Sequence, residues 1–168
     1  LKRLSLELGG KAPALVFADA DLDGAVREIV NGMIPHAGQM CTAIARILVD
    51  DAVWDRFVPM LVEAARGVTV GDPHRAGTRM GPLFDLPSAA RYVQDCEAAA
   101  QAGDVLLQGR VEDGHPRGNV VTPALYALSD PGHRLVQDEL FSPIGIVERF
   151  ATEQDAVVRA NVTRYGLA

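Results

Sequence analysis

The feature that most constrains this chain is its regular exchange of short apolar runs for amphipathic helical stretches. Ala14-Leu15-Val16-Phe17, Ile47-Leu48-Val49, Val105-Leu106-Leu107 and Ile144-Gly145-Ile146-Val147 have the length of strands buried in a sheet. Between the first two, Leu22, Val26, Ile29, Val30 and Met33 recur at helical spacing, with Asp19 or Asp21 placed to cap that helix. Val53, Phe57, Met60, Leu61 and Ala64 give the inward face of a second helix, opened by Asp50 or Asp51 and ended by Gly67. Tyr92, Val93, Cys96 and Ala100 mark a third after Pro87-Ser88, and a last helix is expected from Glu153 to Asn161. Strands separated by amphipathic helices return in parallel, so the pattern predicts an α/β fold: a mainly parallel sheet flanked by helices in three layers. Residues 1–168 are read as a single domain, since 168 residues with 48% apolar side chains suffice for a sizeable core.

Two further segments carry strand expectations, residues 3–8 and the run from Val120. Leu4, Leu6 and Leu8 alternate with Arg3, Ser5 and Glu7, which predicts a strand over 3–8 with Glu7 opposite the leucines. Val68-Thr69-Val70 precedes a loop rich in turn residues, Gly71 through Pro82. Val120-Val121-Thr122 starts another strand after a loop formed by Asp113-Gly114 and Pro116-Arg117-Gly118.

Several function classes are disfavoured. A net charge of −6 without a basic cluster argues against binding a nucleic-acid backbone. No apolar run is long enough to span a bilayer. Two cysteines are too few for a disulfide framework, so a reduced, cytoplasmic setting fits. The four histidines are scattered and the cysteines are not paired at ligand spacing, so no metal site is expected. A phosphate loop ending at Gly10-Lys11 would need a glycine at position 5 and a hydroxyl at position 12, where the chain has Ser5 and Ala12. No G-x-G-x-x-G occurs. The chain opens on Leu1-Lys2-Arg3-Leu4 and stops at Tyr165-Gly166-Leu167-Ala168, and is expected to be a piece of a longer protein.

Two residues stand in settings suited to chemistry. Cys41 follows a Gly38-Gln39 turn rather than lying on an apolar stripe, and a loop on a rigid scaffold suits a reacting group. Cys96, on the apolar side of a helix, is the internal control and reads as packing. Glu7 precedes Gly9-Gly10, where the missing side chains let another group approach the backbone closely. A carboxylate can serve a thiol nucleophile as base, either forming the thiolate or activating water. Glu139, taken alone, reads as a solvated acid.

Together, Leu6-Glu7-Leu8-Gly9-Gly10-Lys11, Gly38-Gln39-Met40-Cys41-Thr42-Ala43, Gly71-Asp72-Pro73, Met80-Gly81-Pro82-Leu83, Asp138-Glu139-Leu140-Phe141-Ser142-Pro143 and Tyr165-Gly166-Leu167-Ala168 resemble the aldehyde dehydrogenase superfamily, in its order and spacing. Ser142 departs from the pattern, which usually has glycine before the proline. The resemblance implies a catalytic-domain fold of that family and the NAD- or NADP-dependent oxidation of a small-molecule aldehyde to an acid. It implies that Cys41 is the nucleophile, passing through a thiohemiacetal and a thioester, and that Glu7 is the general base. It also implies that Glu139 holds the nicotinamide ribose, that Phe141 flanks the nicotinamide, and that the Leu8 backbone approaches the carboxamide. The oxyanion would be held by the Cys41 N–H and by an Asn that the family carries upstream of its Glu motif. The parent would be a homo-oligomer, its cofactor-binding domain and the end of its catalytic domain would lie outside this chain, and the piece alone would be inactive. Rival implications are a CoA-acylating semialdehyde dehydrogenase, whose members typically lack the Glu at the position of Glu7, and a catalytically silent structural member.

Overall fold

The computed structural model describes residues 2–113 and 118–168. Strands β1 (Ala12–Val16), β2 (Ile44–Asp50), β3 (Asp104–Leu107), β4 (Ala124–Ala127) and β5 (Ile144–Phe150) form one sheet in the order β1-β2-β5-β4-β3. All neighbours run parallel except β3, which is antiparallel to β4. The helices are α1 (Leu22–Met33), α2 (Trp54–Arg66), α3 (Leu86–Ala102), the single turn α4 (Arg134–Gln137) and α5 (Glu153–Ala160).

The helices divide between the two faces. Met33 of α1, Phe57 and Leu61 of α2, and Tyr92 and Cys96 of α3 share one core with Ile47 and Val147. On the opposite face Ala156 of α5 packs with Leu48 and Phe150, against half-buried Leu15 and Phe17. This is the three-layer α/β arrangement that the alternating pattern predicts. Local chemistry fixes the helix ends. Asp21 accepts from the Gly24 amide at the start of α1, Asp85 from Ser88 at α3, and Thr152 from Asp155 at α5. The outer layer is also pinned by charge. The Arg46 guanidinium, wholly buried on β2, donates to Glu148 of β5 and to the carbonyl of Arg159 in the last turn of α5. It thereby satisfies a carbonyl left open at the helix end.

Four expectations are revised. Residues 3–8 form no strand. An alternating segment becomes a strand only with a pairing edge, and Leu4, Leu6 and Leu8 remain 80%, 69% and 59% exposed. The strand expected from Val120 begins at Ala124 instead. Pro123 lacks an N–H for the ladder, and Val121 makes only an isolated bridge with Val111. Val70 likewise makes a single bridge, to Met80. The inward faces turn slightly from the expected ones: α2 buries Phe57, Val58, Leu61 and Ala65, and α3 buries Ala89, Tyr92, Cys96 and Ala99, leaving Ala100 exposed. Asp50 does not cap α2 itself but accepts from the Ala52 amide in the turn before it. Of the loop expected at Asp113–Gly118, residues 114–117 lie outside the described residues.

Candidate active site

Cys41 sits at the amino end of β2, the strand flanked by β1 and β5. The chain reaches it through a sharp reversal after α1. His36, Ala37 and Gly38 all have left-handed backbone, with φ of 49°, 57° and 73°. Two of these carry side chains, so the turn stores strain. Gly38 could not: a Cβ there would fall 2.5 Å from the Ser142 carbonyl. Gln39 ties the reversal to its surroundings, donating from Nε2 to the His36 carbonyl at 2.6 Å and accepting the Phe84 amide at 2.9 Å. The Ala43 amide then donates to the Met40 carbonyl and closes the turn that presents Cys41, which is half-buried.

The glycine pair beside Glu7 meets this turn directly. A Cβ on Gly10 would lie 2.1 Å from the Cys41 carbonyl oxygen and 2.8 Å from that of Leu167. Only glycine allows this approach. The Gly10 amide donates to Glu139 Oε1 at 3.1 Å, and Gly10 also bridges in parallel to Leu167. Glu139 in turn donates its amide to the Tyr165 hydroxyl at 3.4 Å. Backbone from Cys41 and from Leu167 in the Tyr165 segment, and the Glu139 carboxylate, therefore converge on Gly10 of the Glu7 motif.

The remaining candidates stand at the rim. Glu139, half-buried, and Phe141, 48% exposed, border an open cleft of about 500 Å³ shared with Arg91, Asp95 and Arg134. Phe141 is held at φ 54°, a second strained position within the Glu139 motif. Leu8 and Gly9 line a neighbouring cleft of about 450 Å³ with Arg164, Tyr165 and Leu167. Glu7 is exposed, and among the described residues it makes no hydrogen bond or ion pair. The structure thus brings Cys41, Glu139 and Gly10 together, whereas Glu7 is joined to them only through the three residues that follow it. Sequence reasoning did not single out Gln39 or Tyr165 as anchors. Their only signal was membership of the motifs, because hydrogen bonds across the chain leave no local pattern.

Cys96 differs on every count. It is 2% exposed, and burial pushes its thiol pKa up. Among the described residues no cluster of His, Cys, Asp and Glu is arranged to hold a metal ion, and no helix is long and apolar enough to cross a membrane.

A mainly parallel α/β sheet carries a half-buried thiol on a strained turn, met by a glycine and a carboxylate, and this is the candidate site of the chain. The whole of residues 1–168 matches the aldehyde dehydrogenase family, and the chain belongs to it. It is 39% identical to the betaine aldehyde dehydrogenase of Bacillus subtilis (strain 168) over 100% of this chain and 35% of that protein. It is 37% identical to the cytosolic aldehyde dehydrogenase 1 of Mus musculus, over 100% of this chain and 33% of that one. Among solved structures, lactaldehyde dehydrogenase from Escherichia coli superposes with a TM-score of 0.89 at 35% identity, over 96% of this chain and 34% of that one. A betaine aldehyde dehydrogenase from Staphylococcus aureus, solved in complex with NAD+, gives 0.89 at 35% identity, over 95% and 32%. The chain spans about a third of the length of the relatives it matches.

Proposed function

We propose that this chain is most of the catalytic domain of an NAD(P)-dependent aldehyde dehydrogenase, with Cys41 as nucleophile and Glu7 as general base. The observation that carries this reading is the contact of Gly10 with the Cys41 carbonyl, together with the Gly10 amide on Glu139. It brings the segment bearing the base, the nucleophile and the expected ribose ligand to one point. Cys41 Sγ, as thiolate, attacks the aldehyde carbon, and the carbonyl oxygen becomes an oxyanion beside the Cys41 N–H. A bound nicotinamide would supply the hydride acceptor. Collapse of the oxyanion with loss of hydride leaves an acyl group on Sγ. Glu7 then takes a proton from water, whose hydroxide adds to the thioester and displaces the thiolate as the acid forms. Exposure of Glu7 to solvent suits a base whose partner is water.

The residues fit the nicotinamide side of a dinucleotide. One Glu139 oxygen is anchored by Gly10, while the carboxylate keeps acceptor capacity for ribose hydroxyls, and the exposed Phe141 ring offers a flat apolar wall beside it. Leu8 contributes a backbone edge next to it. Members of this family solved with NAD+ and curated members that include a cytosolic enzyme support a dinucleotide cofactor and a cytoplasmic setting. The activity belongs to a protein of the relatives' length, read here as a homo-oligomer, and the isolated chain is expected to bind NAD weakly and not to turn over. The presence of Glu7 favours hydrolysis to the free acid over transfer to coenzyme A. The test is incubation of the full-length protein with an aldehyde and NAD+, followed by peptide mass spectrometry. An acyl adduct confined to Cys41 is expected; turnover that survives Cys41→Ser would sink the reading.

A further inference from the structure

Lys11 directly follows the glycine that abuts Cys41, and the reaction as derived makes no use of it. The residue is 2% exposed. Its Nζ has no hydrogen-bond partner among the described residues. An ammonium carries three donors, and burying it without acceptors disfavours the charged form. Burial first, and then the nearby Arg46 guanidinium of β2, push its pKa down to about 7. Asp95 on α3, Asp138 after α4 and Glu148 on β5 act in the opposite direction but do not restore it. Each of those carboxylates already faces another cation: Asp95 meets Arg134 at 2.8 Å, Asp138 meets Arg164 at 3.5 Å, and Glu148 meets Arg46 at 2.7 Å.

A charge placed on Nζ is relieved only by admitting water or by shifting the backbone that carries it. The residue before it has no slack. Gly10 is wedged against the carbonyls of Cys41 and Leu167, and its amide is held by Glu139. A shift at Lys11 is therefore passed across one peptide bond to the backbone of the thiol turn. We propose that Lys11 is a positioning residue of the active site: as a neutral amine it lets Gly10 seat against Cys41, and as an ammonium it unseats that contact. Lys11 touches neither substrate nor thiol in this role. It acts through Gly10.

This inference rests on Cys41 being the reacting thiol of the proposed function, but its test does not need turnover. The rate of iodoacetamide labelling at Cys41 is measured by peptide mass spectrometry across neutral pH and divided by the thiolate fraction in the same sample. In the wild-type chain the normalised rate is expected to rise about threefold or more as pH falls through the Lys11 pKa of about 7, as the Gly10 contact opens. Lys11→Met, which cannot titrate and matches the stem in size, should hold the slow, high-pH rate throughout. Lys11→Arg, charged at every pH used, should hold the fast rate throughout. A step that persists in Lys11→Met, or no step in the wild type, overturns the proposal. So does a purely structural outcome, in which Lys11→Met changes the pH dependence of the urea midpoint but not of labelling. If turnover by the full-length protein survives Cys41→Ser, the oxidation reading fails while the labelling result stands or falls separately.

Discussion

The two cysteines put one functional group into opposite surroundings. Cys41 is half-buried at the amino end of β2, on a turn held by left-handed backbone and hydrogen bonds from Gln39. Cys96 is 2% exposed on α3, against Tyr92 and Tyr126 in the larger core. Each has a glycine pressed near it. Gly10 lies against backbone, the Cys41 carbonyl, whereas Gly109 lies against side-chain ends, the Tyr92 hydroxyl and the Cys96 sulfur. The difference separates a group that is aimed from one that is packed. Aim is set by backbone contacts that no rotamer change relieves, while packing is set by side chains that can partly yield.

The largest expected effect breaks that symmetry outright. In the full-length protein, Cys41→Ala should lower turnover by on the order of 10⁴-fold or more, as removal of a covalent nucleophile does. Cys96→Ala should leave turnover within about twofold and cost ~1 kcal/mol of stability, for a small buried truncation. Steady-state NADH formation and urea denaturation separate the two. Comparable losses of turnover in both variants would mean that the exposure of Cys41 carries no functional information.

The glycines give the next largest contrast. Gly10→Ala would place a Cβ 2.1 Å from a backbone oxygen, an overlap that no rotamer change relieves. About 3 kcal/mol of destabilisation is expected, with turnover lowered on the order of 10²-fold if the proposed nucleophile is displaced. Gly109→Ala would meet the Tyr92 hydroxyl at 2.0 Å, and that hydroxyl donates to the Thr122 carbonyl at 2.6 Å. Its cost should be about 1–3 kcal/mol, felt in stability and not in catalysis. Denaturation midpoints alongside kcat would reveal a reversal of this order.

Much of this architecture was legible before any coordinates. The stripe Leu22, Val26, Ile29, Val30 and Met33 is the buried face of α1, Asp21 is its cap, and β1, β2, β3 and β5 fall on the apolar runs. These features are encoded within a few residues, by period and by capping chemistry. What failed was non-local. Residues 3–8 have a strand's alternation but no partner among the described residues, and β4 lies beyond Pro123 in the ordinary-looking run Ala124-Leu125-Tyr126-Ala127. The site divides in the same way. The close approach expected at Gly9-Gly10 is present, since glycine announces missing volume; that it is Cys41 and Glu139 which fill the space follows from sheet order and the reversal after α1. Lys11 was legible as part of a failed phosphate-loop pattern and of the Leu6–Lys11 motif, with no role of its own. The charges that act on it, Arg46, Asp95, Asp138 and Glu148, are all distant in sequence.

The smallest effect sharpens the comparison through pH. Burial raises the Cys96 thiol pKa, and it also raises the hydroxyls of Tyr92 and Tyr126 beside it. A group whose folded pKa lies above its unfolded value stabilises fully below the unfolded value and loses that contribution as pH climbs. For Cys96 the loss begins near its ordinary value of 9.0, because the unfolded chain releases the thiol proton there while the folded chain keeps it. Lys11 runs the other way. Its folded pKa of about 7 lies below the ordinary 10.5, so its penalty is full below about 7 and is relieved as pH approaches 10.5. The wild-type curve above pH 9 therefore mixes a gain from Lys11 with losses from the thiol and the two tyrosines. Cys96→Ala removes the thiol's share together with the part of the Tyr92 and Tyr126 shifts that Cys96 causes. The stability difference between wild type and Cys96→Ala, from urea midpoints, should shrink above about pH 9 by up to ~1.4 kcal/mol per pH unit. A difference that stays constant or widens would show that the Cys96 proton is not held by burial, and the contrast between the two thiols would then rest on geometry alone.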